Sequence, residues 1–286
     1  MSLNRLFLIL PLMVAGCGTS SKSLHVVAVS GRYGFIDHSG KMVIPPQFDQ
    51  ATEFSEGLAA VQSGGKWGYI DSKGRLNIAP QFDLADPFSD GLALVGLGGK
   101  LGYLKKDGHL AVNPVYEGAG EFGEGLAPVA VNGRWGYVDK NGKLAVNPQF
   151  DEASSFSENK AAVRLGNLHG YIDKSGKMVI NPQFQLAGDF HDGRAVVKVE
   201  NHYGYIGRDG KLVIQPQFDG AGDFGDGLAV VAIGHRFGYI NHNGKFEINP
   251  QFEKAGAFRD GIAPVWINGR QSYVNKSGKL VWQPAA

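Results

Sequence analysis

Residues 57–82 read GLAAVQSGGKWGYIDSKGRLNIAPQF, and this stretch decides the fold. Apolar and small or polar side chains alternate from Leu58 to Ser63, from Lys66 to Asp71 and from Arg75 to Ala79. Two-residue alternation is the period of a strand with one buried face, so the stretch reads as three short strands. Ser63-Gly64-Gly65 and Asp71-Ser72-Lys73-Gly74 separate them. An Asp that bonds its own backbone, followed by glycine in the left-handed region, suits a hairpin with a type I turn and a G1 bulge. The first hairpin carries similar chemistry.

Working outward, the Gly68 position recurs as Gly34, Gly102, Gly136, Gly170, Gly204, Gly238 and Ser272, every interval being 34 residues. A 34-residue period also occurs in paired-helix arrays. Here each unit holds several glycines and usually an Asn-Pro or Gln-Pro, which interrupt any helical run of useful length. The expected architecture is therefore all-β: eight three-stranded units over residues 24–286, roughly 24 short strands. After each third strand comes an irregular connection, such as Pro80-Gln81-Phe82-Asp83, whose aromatic residue is expected to plug the gap between units. The units can close into a propeller-like ring or stack as an open solenoid. Because the first and last units each contain all three strands, an open or superhelical array is the favoured expectation.

These segments carry a resemblance. The GY[IV]D, NPQF and GLA motifs at fixed spacing resemble the WG (KWG) repeat family of bacterial proteins over residues 24–286. Only Trp67 and Trp135 supply the tryptophan of that name. The resemblance implies a β-repeat module and brings no catalytic residues with it.

The first residues, MSLNRLFLILPLMVAGCGTS, place Arg5 before an apolar run from Leu6 to Val14. That run is too short to span a bilayer and reads as a secretory signal, 1–16. Val14-Ala15-Gly16-Cys17 resembles the lipobox of bacterial lipoproteins, which implies a diacylglyceryl thioether on Cys17. The chain has no second cysteine to pair with it. Residues 17–23 then form a polar lipidated tether. The resulting expectation is an envelope protein anchored in a membrane through Cys17. Gly18 is not an inner-membrane retention aspartate, so the outer membrane is expected if the source has two.

The full chain carries a formal net charge of +1, and Arg5 lies in the leader, leaving the rest neutral. No basic footprint for nucleic acid is present. No zinc-type spacing links the eight histidines, and no nucleophile motif, phosphate loop or calcium loop appears. Neither a cofactor nor a metal is expected, and the chain does not read as an enzyme.

Comparing the units separates what packing dictates from what it tolerates. The tyrosines Tyr69, Tyr103, Tyr137, Tyr171, Tyr205 and Tyr239 recur and read as core, with satisfied hydroxyls. The residue before the repeat glycine varies, and its aromatic members Tyr33, Trp67, Trp135, Tyr203 and Phe237 are the candidate binding residues, either stacking on a partner or packing between units. The column Glu56, Asp90, Glu124, Glu158, Asp192, Asp226, Asp260 precedes a glycine or its replacement and reads as turn chemistry before it reads as a ligand ring. The functional expectation is a non-catalytic binding scaffold for a protein or glycan. The alternatives are a carbohydrate-active hydrolase using a carboxylate pair, with Glu247 as a residue that departs from the repeat, and a purely structural envelope protein.

Overall fold

The computed structural model describes residues 24–284; the leader 1–16, Cys17 and the tether to residue 23 lie outside the described residues. The described chain is all strand and turn, with no helix. It forms eight separate antiparallel sheets, one per repeat, each packed face to face on the next. Blade 1 contains β1 (Leu24–Val29), β2 (Arg32–Asp37) and β3 (Met42–Phe48). Blade 2 adds a strand, with β4 (Gln50–Ala51), β5 (Leu58–Ser63), β6 (Lys66–Asp71) and β7 (Leu76–Phe82) paired in that order. Blades 3 to 8 repeat the four-stranded plan.

Two details differ from the expected unit. The segment read as an irregular connection supplies a fourth, innermost strand, two residues long in β4 and six in Leu84–Ser89. The first hairpin is a two-residue turn with both central residues at positive φ, as at Gly64 (60°) and Gly65 (78°), or Asn132 (51°) and Gly133 (75°). This is the type I′ geometry, whose twist matches that of the flanking strands.

The repeat glycine has a steric cause. β7 bulges against β6, so that Trp67 faces Phe82 and Tyr69 faces Ile78. The bulge carries the Ala79-Pro80 backbone over Gly68, where a Cβ would lie 2.5 Å from the Ile78 carbonyl oxygen and 2.7 Å from the Pro80 nitrogen. The same crowding recurs at Gly34, Gly102, Gly136, Gly170, Gly204 and Gly238. Proline fits here because a bulged outer strand does not need its N–H for the ladder.

The core lies between blades. Leu58, Ala60, Tyr69, Ile78 and Phe82 of blade 2 pack on Ala85, Phe88, Ala93, Val95 and Leu104 of blade 3. Each tyrosine is buried and bonds the innermost strand of the next blade or the residue just after it: the Tyr69 hydroxyl donates to the Asp86 carbonyl at 2.7 Å, and the Tyr137 hydroxyl to the Ser154 carbonyl at 2.8 Å. The connection also supplies a second aromatic, so that Phe88 sits against Tyr69 with ring centres 4.9 Å apart and Phe156 against Tyr137 at 4.8 Å.

The array is closed, which corrects the expectation of an open one. Val27 and Ile36 of blade 1 share a core with Ile262 and Tyr273 of blade 8. Blade 1 is the one blade without an innermost strand among the described residues, and side chains take over its bonds. The Val26 N–H donates to the Glu53 carboxylate at 3.2 Å, the Tyr273 hydroxyl donates to the Val26 carbonyl at 2.8 Å, and the Ala28 N–H donates to Gln271 at 3.4 Å. The Arg259 guanidinium donates to the Phe54 carbonyl in blade 2, spanning the blade that lacks the strand. His25 replaces the alanine found at Ala59 and its equivalents, and its buried ring lies 5.7 Å from Tyr273, near the place a phenylalanine takes elsewhere.

Candidate functional site

A closed ring has two faces and an axis. One face carries the type I′ tips and the crossings between blades, and is called here the tip face. The other carries the turns of the Asp71–Gly74 kind together with those at Glu56-Gly57, and is called the turn face. Every blade runs in the same sense, so each repeat column becomes a circle on one face or around the axis.

The aromatic column lies near the tip face. Tyr33, Trp67, Trp135, Tyr203 and Phe237 are all half-buried, each packed against an inter-blade core while keeping part of its surface in water. The Trp135 indole leans over Gly118, where an added Cβ would come within 3.0 Å of the ring. Lys198 Nζ stands 5.4 Å from the centre of the Tyr203 ring, within cation–π range. Three members of the column depart from the Phe, Tyr or Trp type, and the first, Leu101, packs half-buried against the next inter-blade core. His169 approaches Glu152 at 3.6 Å, and Gln271 serves the blade 1 edge.

Beside this column is a feature the sequence reading passed over. The residue that opens each tip is Val29, Leu97, Val131, Leu165, Val199, Ile233 or Ile267, with Ser63 the polar member. Leu97, Leu165 and Ile233 are 45%, 39% and 46% exposed, and Leu84, Leu168 and Leu186 stand open near the same face. The signal was present as an apolar column at the turn itself, where alternation alone gives it no buried partner. Charged side chains lie between the tips: Asp83 pairs with Lys66 at 2.5 Å and accepts from the Gly98 N–H at 2.9 Å, joining neighbouring blades.

The acidic column on the turn face is structural. Glu56, Asp90, Glu124, Glu158, Asp192, Asp226 and Asp260 all have φ near 50°. The Glu158 carboxylate accepts from the Gly193 N–H at 2.9 Å, and that of Asp226 from the Gly261 N–H at 2.7 Å, each in the next blade. Lys106, Lys140, Lys174 and Arg208 then pair with Glu56, Asp90, Glu124 and Glu158. Glu247 accepts from the Asn241 side chain at 2.7 Å on an exposed strand.

A different acidic set surrounds the axis. Glu53, Asp86, Glu121, Asp189 and Asp223 project from the innermost strands or the residues just after them; four directly precede a core phenylalanine, and Asp86 lies two residues before Phe88. A cavity of about 360 Å³ reaches from Trp135 past Asp86, Glu121, Ser154 and Asp189 to His191. The Asp189 carboxylate accepts from the Ser154 hydroxyl at 2.6 Å, and His191 approaches Asp223 at 3.7 Å. Burial raises all five carboxyls. Glu53 rises to about 7 despite Arg259 nearby, Glu121 to about 7 with help from Asp86 and Asp189, and Asp86 and Asp223 to about 6. Asp189 is raised as well, in direction only partly opposed by Ser154 and His191. The Asp223 side chain keeps 24% of its surface open; the shift comes from walls on several sides of a narrow space rather than from complete enclosure. Sequence reading missed this set because it treated these residues as connection. Among the described residues, no group of three or more His, Cys, Asp or Glu is disposed to hold a metal ion.

Eight sheets arranged radially around an axial cavity define an eight-bladed β-propeller. The chain belongs to the family described as WG containing repeat, which matches at residues 33–67, 67–100, 102–135, 135–168, 170–201, 203–234 and 237–270. No curated protein matches the sequence. Several solved structures match in fold. Dihydro-heme d1 dehydrogenase NirN in complex with DHE is 16% identical, with 96% of this chain and 75% of that one covered and a TM-score of 0.61. A structure described as the eukaryotic initiation factor is 11% identical, with coverage of 92% and 96% and a TM-score of 0.57. Hsv2p of Kluyveromyces lactis is 11% identical, with coverage of 77% and 89% and a TM-score of 0.53. At these identities the likeness concerns the fold.

Proposed function

We propose that this propeller is a non-catalytic binding scaffold, held at the cell envelope by lipid on Cys17, and that its tip face takes a protein or glycan partner. Gly18, standing where an aspartate would resemble an inner-membrane retention signal, supports the outer membrane where the source has two. The observation that carries the reading is the set of exposed apolar tips, Leu97, Leu165 and Ile233, beside half-buried aromatics. Isolated exposed leucines are ordinary, but exposure at three tips of one face, with Leu84, Leu168 and Leu186 open near them, gives a surface of the kind that marks contact sites.

The axial carboxylates give the hydrolase alternative less support. Glycoside hydrolysis needs one carboxyl held protonated and a second held ionised. Here burial moves all five in the same direction.

The test is capture from envelope extract by soluble residues 24–286, beside a variant carrying Trp67→Ala and Trp135→Ala and another carrying Leu97→Ser, Leu165→Ser and Ile233→Ser. Circular dichroism first checks that each stays folded. A partner retained by the parent protein and lost by both folded variants supports the reading. Equal capture by all three, or none by the parent, overturns it.

A further inference from the structure

The turn face has a repeated charged column of its own. Its outer rim carries a lysine just after the turn glycine in most blades: Lys41, Lys143, Lys177, Lys211, Lys245 and Lys279. All six are exposed. Lys211 has one carboxylate at 3.7 Å, and the other five form no ion pair among the described residues.

The acids of that face are already engaged. The Asp37 carboxylate accepts from the Ser39 N–H at 2.9 Å and the Lys41 N–H at 3.1 Å, and that of Asp139 from the Asn141 and Lys143 N–H groups at 2.9 Å. In four blades the turn acid is replaced, by Lys105, Gly207, Asn241 and Asn275. The inner acids are tied to backbone N–H groups and to the second cation ring at Lys106, Lys140, Lys174 and Arg208. Four of the inner acids are thus matched by cations; at the edge the turn carboxylates stay ionised on backbone N–H groups of their own turns, and beside them the lysine ammonium groups stand exposed.

The chain also enters on this side. Leu24 pairs with Asp37, beside the Asp37–Lys41 turn, so the segment leading to residue 17 joins the ring at the lysine-bearing face. Seven residues span at most roughly 25 Å when fully extended. A lipid on Cys17 would hold this face within that reach of the bilayer. That reach lets the face come down to within a Debye length of the bilayer, about 8–10 Å, the range over which lysines act on an anionic surface.

We propose that the turn face of the propeller lies against a bilayer bearing anionic headgroups, with the lysine rim setting the ring flat and the tip face outward. This rests on the reading that Cys17 carries the anchor. The lipid supplies attachment, and the rim supplies orientation.

The experiment uses soluble residues 24–286, which contain the whole described ring. Co-sedimentation is measured with vesicles of phosphatidylcholine alone and of equal parts phosphatidylcholine and phosphatidylglycerol. The expected result is binding to the anionic vesicles only. Replacing Lys177, Lys211, Lys245 and Lys279 with Gln lowers it at least about ten-fold, and added salt weakens it. A folded control with Arg32→Gln, Arg236→Gln and Arg270→Gln on the tip face keeps it. No binding, equal binding to neutral vesicles, an equal loss in the tip-face control, or equally tight binding to single-stranded DNA overturns the proposal. The anchor is tested separately, by detergent-phase partitioning of the full chain against Cys17→Ser. If the mutant partitions normally, the anchor fails, whatever the vesicles report.

Discussion

Gly136 shows how much a single position can reveal. Among the repeats, its column is glycine in all but Ser272, and Ser272 lies beside the shorter last strand, Leu280–Trp282. A Cβ at Gly136 would meet the Val146 carbonyl at 2.5 Å and the Pro148 nitrogen at 2.7 Å, both backbone atoms that cannot swing aside. Gly136→Ala should therefore lower stability by about 1–3 kcal/mol or more, as overpacking does. Urea unfolding would show it, and an unchanged midpoint would remove the steric account. Glycine's recurrence was legible in the sequence, but its cause was not, because the bulge that crowds it comes from ten residues downstream. The tyrosines were legible in full: their alternation placed them in the core, and each hydroxyl has its partner. The acidic turn column was legible too, since positive φ before glycine is turn chemistry. The axial acids were hidden because nothing in a lone Glu-Phe or Asp-Phe pair announces that its copies converge.

At the level of elements, the strands with β-branched and aromatic alternation were readable, and the innermost ones were not. Gln50–Ala51 and Gly118–Ala119 are two residues long and carry no alternation, so they are strands only because the next strand is there to pair with. Counting strands per unit then misled the expectation of openness, since each terminal unit does hold its own three. Closure instead depends on residues that break the repeat. Arg259 stands where other blades have Ser55, Ser89, Ser157, His191 or a glycine, and those serines reach only the adjacent blade, as Ser55 does to the Phe88 carbonyl at 2.6 Å. Arg259→Ser should shorten that reach and leave the Phe54 carbonyl without its donor. Hydrogen exchange would then rise about ten-fold in β1 to β3 and in Ile262–Trp282, while residues 118–184 on the opposite side of the ring stay protected. Uniform acceleration around the ring, or none, would mean that the seam is no weaker than any other inter-blade contact. Ser157→Ala, which removes the equivalent bond to Phe190 within a regular interface, is the matched control.

For the molecule as a whole, closing the ring gathers five carboxyls around one axis, and stability must then depend on pH. In the unfolded chain these groups lose their protons near 4, whereas in the ring Glu53 and Glu121 keep theirs to about 7 and Asp86 and Asp223 to about 6. Between those limits the folded state binds more protons, so stability is fully present below about pH 4 and is lost as pH rises through 6 to 7. His25 acts in the opposite sense. Burial lowers it to about 4, so its contribution to stability grows from pH 4 to 6.5. Surface aspartates such as Asp37, Asp71 and Asp173, held low by bonds to their turns, withdraw their contribution only in more acid solution. One histidine against five carboxyls leaves a net fall toward neutral pH. The melting temperature should therefore be higher near pH 5 than near pH 7.5, with each kcal/mol worth about 2–4 °C in a chain of this size. Glu121→Gln with Asp223→Asn should flatten that slope, because a neutral side chain of similar shape has no proton to lose. A melting temperature that rises from pH 5 to 7.5 would mean that water or a counter-ion in the channel screens these groups enough for them to ionise as they do in the unfolded chain.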